Sequence, residues 1–320
     1  YYPDIANRKD PDEFAKKLTD HKKDGGFYNT SPAISPQGDK IAFITNKDIF
    51  FSIYLMNATD GKIIKRILKG NTTNDFEDLN ILTPGLTWSP DGKNIAFSAS
   101  SAGYDVIYIA NVENDEIKKL PIKMDNISTV SWSPDSKKIA FVGSTPSQSD
   151  IYIYDIENEN VINLTNDIFT DADPSWDPYS RYIIFTSDRG DYLSSVPDTF
   201  NIKNHNFYQK DIYLYDLNNK KISRITNTAD ADEYSPIFLN NGNEILYISD
   251  KNGINNIYRK IIIGQPLENK EYAITNSLNG LYQISISKDN KKLVFTAMYQ
   301  GAYNIFIINL YLHFVSAYIS

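Results

Sequence analysis

The chain repeats one short phrase. Trp88-Ser-Pro-Asp-Gly92, Trp132-Ser-Pro-Asp-Ser136 and Trp176-Asp-Pro-Tyr-Ser180 each begin 44 residues after the last. A fixed period of this length means one supersecondary unit used again and again, each too small to bury both of its faces alone. After the phrase comes an apolar strand, in six copies: Lys40-Ile-Ala-Phe43, Asn94-Ile-Ala-Phe97, Lys138-Ile-Ala-Phe141, Tyr182-Ile-Ile-Phe185, Glu244-Ile-Leu-Tyr247 and Lys292-Leu-Val-Phe295. Then come six Ile-aromatic pairs: Ile53-Tyr54, Ile107-Tyr108, Ile151-Tyr152, Ile212-Tyr213, Ile257-Tyr258 and Ile305-Phe306. An apolar-Thr step closes the unit in Leu164-Thr165, Ile225-Thr226 and Ile274-Thr275. It has drifted in Leu68-Lys69 and Leu120-Pro121, and the sixth unit shows none. Ile34, Phe238 and Ile286 hold the tryptophan slot elsewhere, giving spacings of 54, 44, 44, 62 and 48.

The phrase itself is a turn. Proline presets φ at the second position of a type I turn, and the following glycine takes the left-handed position that reverses the chain. Gly38, Gly92 and Gly242 meet that need; Asn290 substitutes tolerably, and Ser136 and Ser180 are more strained. Four short strands per unit of roughly 40 to 45 residues read as propeller blades. The expected fold is all-β: a six-bladed β-propeller of four-stranded antiparallel blades, with a short N-terminal helical extension. Residues 1–30 form that extension and 31–320 the propeller, with 311–320 unassigned. Asp10 as N-cap, Pro11 at the first position and Glu13 reaching back predict one short helix.

A net charge of −8 excludes the basic footprint that nucleic acid or an anionic membrane requires. The absence of cysteine excludes disulfides and thiolate metal sites. The chain opens at Tyr1 rather than methionine, so a signal peptide or upstream domain is expected to be missing from view. Residues 302–320 carry no Asp, Glu, Lys or Arg. Asn304 to Asn309 nevertheless matches a blade's third strand, and Asn309, His313 and Ser316 interrupt the run, so no membrane insertion by this segment is expected.

Strand direction alternates within a blade. The connections from second to third strand and from fourth strand to the next blade therefore share one face, while the turns and outer hairpins share the other. Both long insertions, Asn71 to Gly85 and Asp188 to Lys210, fall on the first face. In repeat proteins, insertions gathered on one face mark the working surface. That face is also acidic near the axis. Asp75, Glu77 and Asp78, with Asp167, Asp171, Asp173, Asp230, Asp232 and Glu233, are candidates for a ring around the channel mouth that draws in a basic segment or a cation. For any one of them the commoner role is turn capping.

The insertion adds Arg189, Tyr192, Leu193, Phe200, Phe207 and Tyr208, either packed over the blade edge or presented as a docking tongue. Partner binding is assigned to Asp75, Glu77, Asp78, Asp171, Asp173, Arg189, Tyr192, Phe200, Phe207, Tyr208, Asp230, Asp232 and Glu233. The repeating tryptophans are read as inter-blade packing.

A catalytic constellation is missing from the sequence. His21, His205 and His313 are scattered, and no nucleophile elbow, phosphate-cradling loop or paired-histidine metal motif occurs. No catalytic residue and no cofactor is assigned. The one metal expectation is a divalent cation at the channel mouth, with Asp171 and Asp232 as the residues to test.

The units, best in Leu86 to Phe97, Ser131 to Phe141 and Pro174 to Arg189, resemble the TolB-type β-propeller repeat over residues 31 to about 310. The resemblance implies a bacterial envelope protein, periplasmic or otherwise exported. The expected function is a noncatalytic interaction propeller that binds a protein or peptide partner. The alternative is a substrate-gating or regulatory propeller of a larger peptidase or hydrolase. A third option is an enzyme using channel carboxylates with a divalent cation. Where the family's TolB carries an N-terminal α/β domain ahead of its propeller, the resemblance here begins after about 30 residues of another kind.

Overall fold

The computed structural model describes residues 7–70, 78–79, 85–146, 148–194, 196, 200–262 and 271–310. The turn phrase folds alike in every unit. In the second, the Ser89 amide donates to Asn94 O at 2.8 Å and Gly92 N to Ser89 O at 2.9 Å. The Ser89 hydroxyl accepts from Asn94 N at 2.9 Å and donates to the Asp91 carboxylate. The turn position is left-handed in all six: Gly38 (φ 72°), Gly92 (74°), Ser136 (64°), Ser180 (57°), Gly242 (69°) and Asn290 (58°). Two serines thus accept the conformation that glycine takes at no steric cost.

Each turn joins the first two strands of a blade. Blade 1 comprises Asn29–Ile34, Lys40–Asp48, Phe50–Asn57 and Ile63–Lys69. Blade 3 comprises Asn126–Trp132, Lys138–Ser144, Ser149–Asp155 and Asn160–Asn163. Blade 4 comprises Asp171–Trp176, Tyr182–Ser187, Asp211–Asp216 and Lys221–Arg224. Blade 5 comprises Glu233–Phe238, Glu244–Ser249, Asn256–Ile261 and Glu271–Ala273. All pairings are antiparallel, and one register recurs throughout. Phe43 faces Tyr54, Phe97 Tyr108, Phe141 Tyr152, Phe185 Tyr213, Tyr247 Tyr258 and Phe295 Phe306. Their rings lie between 5.5 and 6.3 Å apart. This aromatic pair supplies cross-strand stabilisation in each blade.

The first strand of five blades carries a bulge at a left-handed residue: Ser31, Thr129, Asp173, Ser235 and Gln283. Blade 2 differs there. Asp78–Leu79 and Leu86–Trp88 both pair with Asn94–Ser101, so the first strand is in two pieces where the others bulge. Tyr104–Asn111 and Ile117–Lys119 complete that blade.

Blade 6 comprises Leu281–Ile286, Lys292–Tyr299 and Ala302–Asn309, and its fourth strand is Lys16–Lys17 from the other end of the chain. Leu18 N donates to Ile305 O at 2.8 Å. The Thr19 hydroxyl accepts from Ile305 N at 2.9 Å. Thr165, Thr226 and Thr275 accept from Ile151, Ile212 and Ile257 in the same way, at 3.1, 2.8 and 2.9 Å. Leu18-Thr19 is therefore the sixth apolar-Thr step. The step that the sequence does not show after the sixth unit thus lies upstream of blade 1, and the ring closes by borrowing it. Two single-turn helices, Pro11–Phe14 and His21–Asp24, flank it, and Glu13 caps the Asp10 amide at 2.9 Å. Among the described residues no helix is long and apolar enough to cross a membrane.

Candidate partner-binding face

Asp188 to Lys210 leaves the second strand of blade 4 on the loop face, and its first residues anchor it. Arg189 is 1% exposed. Its guanidinium meets Asp171 at 2.7 and 2.9 Å, Asp167 at 2.9 Å and the Ser187 hydroxyl at 3.0 Å. Phe169, Phe185 and Tyr213 surround it, 5.3 to 5.6 Å from their centroids. Asp150, from the third strand of blade 3, takes amide and hydroxyl donors from Asp167, Thr165 and Asn163. Asp150, Asp167 and Asp171 lie close enough together to share one cation. The guanidinium, paired with two of them, already brings a positive charge to that cluster. Burial pushes the Asp171 carboxyl up to about 6, with Arg189 opposing the rise. Asp171 and Arg189 are thus internal struts of the seam between blades 3 and 4.

Beyond the strut the insertion folds onto itself. Phe169, Tyr192, Phe200 and His205 form one ring cluster with centroids 5.0 to 6.0 Å apart, and Phe207 stacks edge-on to His205 at 4.5 Å. His205 Nε2 lies 2.7 Å from the Asp188 carbonyl. The Tyr213 hydroxyl donates to Gly190 O at 2.7 Å. Of the two sequence options for these aromatics, packing over the blade edge accounts for Tyr192, Phe200 and Phe207, all half-buried. Tyr208 stands out at 90% exposure.

The next seam repeats the architecture with a different charge balance. Ser249-Asp250-Lys251 stands where blade 4 has Ser187-Asp188-Arg189. Lys251 pairs with Glu271 and lies over the Tyr258 ring at 3.8 Å. Glu233 and Asp211 are left facing each other, 0% and 1% exposed. Thr226 donates to Glu233 at 3.1 Å and Arg224 to Asp211 at 2.5 Å, but the other oxygen of each carboxyl has no hydrogen-bond donor among the described residues. Burial raises both carboxyls, and the Asp211 charge beside it raises Glu233 further. Burial pushes Glu233 up to about 7.

Asp173 is the bulge residue of blade 4 and lines the axial channel. It bridges blades by accepting from Thr129 at 3.2 Å and from Ser235 N at 2.9 Å. Asp230 and Asp232 reach the surface with Asp250. Together with Tyr208, Asn206 and Gln209 they line a hollow of about 220 Å³. Asp232 is held by Lys210 N at 2.8 Å and by the Tyr234 hydroxyl at 2.7 Å, leaving Asp230 as the exposed carboxylate. The predicted site residues thus separate into a strut (Asp171, Arg189), a seam (Glu233), the channel (Asp173), the packed loop (Tyr192, Phe200, Phe207) and a surface hollow (Tyr208, Asp230, Asp232). The two residues proposed for a cation, Asp171 and Asp232, belong to different groups. Asp75 and Glu77 lie outside the described residues, as does most of the Asn71 to Gly85 insertion, and of Asp78 only the backbone is described.

Sequence reasoning missed Asp150, Asp211 and Asp250. The signal was there: Asp150, Asp211, Asn256 and Asn304 each precede an Ile-aromatic pair, and Ser-Asp-Arg recurs as Ser-Asp-Lys.

Residues 76–192 match the TolB β-propeller domain family, and so cover blades 2 and 3 and the start of blade 4. The repeats in that stretch are of the TolB type. Among solved structures, TolB from Acinetobacter baumannii is 19% identical with a TM-score of 0.61, over 86% of this chain and 62% of that one. A TolB candidate from Agrobacterium tumefaciens is 18% identical with a TM-score of 0.60, over 88% and 90%. The propeller domain of the trilobed protease of Pyrococcus furiosus is 21% identical with a TM-score of 0.53, over 92% and 82%. These likenesses establish the fold of the TolB-type propeller. The chain spans less than two thirds of the Acinetobacter protein. A comparison with curated protein sequences finds no match.

Proposed function

We propose that this TolB-type chain is a noncatalytic interaction propeller of the bacterial cell envelope, periplasmic or otherwise exported. It holds a protein or peptide partner on the loop face. The observation that carries the reading is Tyr208, 90% exposed at the rim of the hollow shared with Asp230, Asp232 and Asp250. A large amphipathic ring beside an exposed carboxylate is the kind of anchor that dominates binding energy at interfaces. The chemistry favours a basic segment, its cation paired with Asp230 and its aliphatic stem against the Tyr208 ring. The strut and packed loop beneath hold that rim rigid, which lowers the entropy lost on binding. Affinity capture from an envelope extract tests it: a Tyr208→Ser, Asp230→Lys protein with an unchanged melting temperature should lose the partner that the parent retains.

A second reading is the substrate-gating or regulatory propeller of a larger peptidase or hydrolase. It is supported by the likeness in fold to the Pyrococcus protease propeller and by the axial hollow between the blades. Reading the gene on both sides of residues 1–320 tests it, since a hydrolase domain adjoining the propeller is its requirement.

A further inference from the structure

The opposite end of the axis, on the turn face, holds a different kind of hollow. It measures about 340 Å³ and is lined by Trp88, Trp132 and Trp176 together with Pro36, Pro90, Pro134 and Pro178. These residues come from blades 1 to 4. In blades 5 and 6 the proline slot is Asn240 and Lys288, so the rim is apolar around most of its circle and polar over the rest. Lys288 is the single charged side chain lining it. Its backbone is fixed, the amide donating to Pro36 O at 3.1 Å across the seam to blade 1. Its ammonium is exposed, and no ion pair holds it among the described residues. Beside it, the Asn290 side-chain Oδ1 accepts from Asn240 N at 3.0 Å, leaving the side-chain NH₂ of Asn290 for another acceptor.

We propose that this hollow binds a small apolar carboxylate, its hydrocarbon part against the three tryptophans and its carboxylate at Lys288. Removing water from indole and proline surface drives the apolar part in. One unpaired cation at one edge selects an anion there and fixes its orientation. At roughly 30 Å³ per heavy atom the hollow takes about eleven, the size of a medium-chain aliphatic acid or a short aromatic one. The site lies on the face away from Tyr208, so it stands or falls independently of the partner surface.

The chain's only three tryptophans all line this hollow, so intrinsic fluorescence reports on it directly. Octanoate, well below its micelle concentration, should change the emission saturably. Octanol should bind more weakly and octylammonium more weakly still. Lys288→Met keeps the apolar stem and removes the charge. It should lower octanoate affinity roughly five- to tenfold and leave octanol unchanged, with an unaltered melting temperature. An unsaturable response to octanoate overturns the proposal, as does equal binding of octylammonium or an octanoate affinity indifferent to Lys288→Met. An amidated apolar peptide that binds as tightly as octanoate would assign the hollow to a chain segment and overturn the carboxylate assignment.

Discussion

Thr19 accepts the amide hydrogen of Ile305 at 2.9 Å, across a separation of 286 residues. This contact closes the ring, and it copies the threonine contacts that close blades 3, 4 and 5. Leu18 and Ile305 belong to one buried cluster with Phe43 and Val294, so the borrowed strand also seals the core between blades 6 and 1. Thr19→Ala should cost about 1–2 kcal/mol, similar to Thr275→Ala, because each leaves a buried amide without its acceptor. Deleting residues 1–20 should cost clearly more, since it also uncovers the edge of blade 6. Denaturant titration of the three proteins checks the order.

Arg189 should be the costliest single side chain of the loop face to remove. Arg189→Met strands Asp171 and Asp167, and breaking a buried pair on one side costs about 3–5 kcal/mol. Adding Asp171→Asn to that variant should recover part of the loss, because a neutral amide is cheaper to bury than an unpaired carboxylate. A double-mutant cycle measured by chemical unfolding gives both terms.

The Glu233–Asp211 pair makes stability depend on pH. Glu233 titrates near 7 in the folded chain against 4.5 when unperturbed, so the folded state holds the extra proton. Stability from this group is fully present below about pH 4.5 and declines as pH rises through 7. Asp171, raised to about 6, adds in the same direction. Glu233→Gln should remove its share of the slope, on the order of 1–3 kcal/mol between pH 5 and 8, and stabilise the protein at pH 8. Unfolding free energies of parent and variant across that range test it.

The tryptophans are not equivalent. Trp88 Nε1 donates to Ala33 O at 2.8 Å and Trp176 Nε1 to Ser131 O at 3.0 Å, each binding its blade to the one before, whereas Trp132 Nε1 has no acceptor among the described residues. Replacement by phenylalanine should therefore cost about 1 kcal/mol more at Trp88 and Trp176 than at Trp132. Thermal melting of the three variants separates them.

The sequence disclosed most of the architecture because each blade must satisfy the same local demands. The left-handed turn position, the Phe-to-Tyr register and the Thr acceptor are all repeated at near-fixed spacing. Leu18-Thr19 escaped because closure is a long-range contact, and nothing local to residues 16–19 announces a strand. The site was legible only in outline. Alternation placed both insertions on one face, but an aspartate at or near the start of a blade's first strand lies in the seam, in the channel or at the surface according to a shift of two or three residues. Asp171, Asp173 and Asp230 took three different environments for that reason. Charge alone does not distinguish them; Arg189 and the left-handed bulge at Asp173 do.

The central claim is that the partner meets the loop face. A photo-crosslinking amino acid placed at Tyr208, and separately at Asn158 on the outer hairpin of the other face, tests it in living cells. The account predicts a protein adduct from position 208 and none from 158. Adducts from 158 with none from 208 would contradict it.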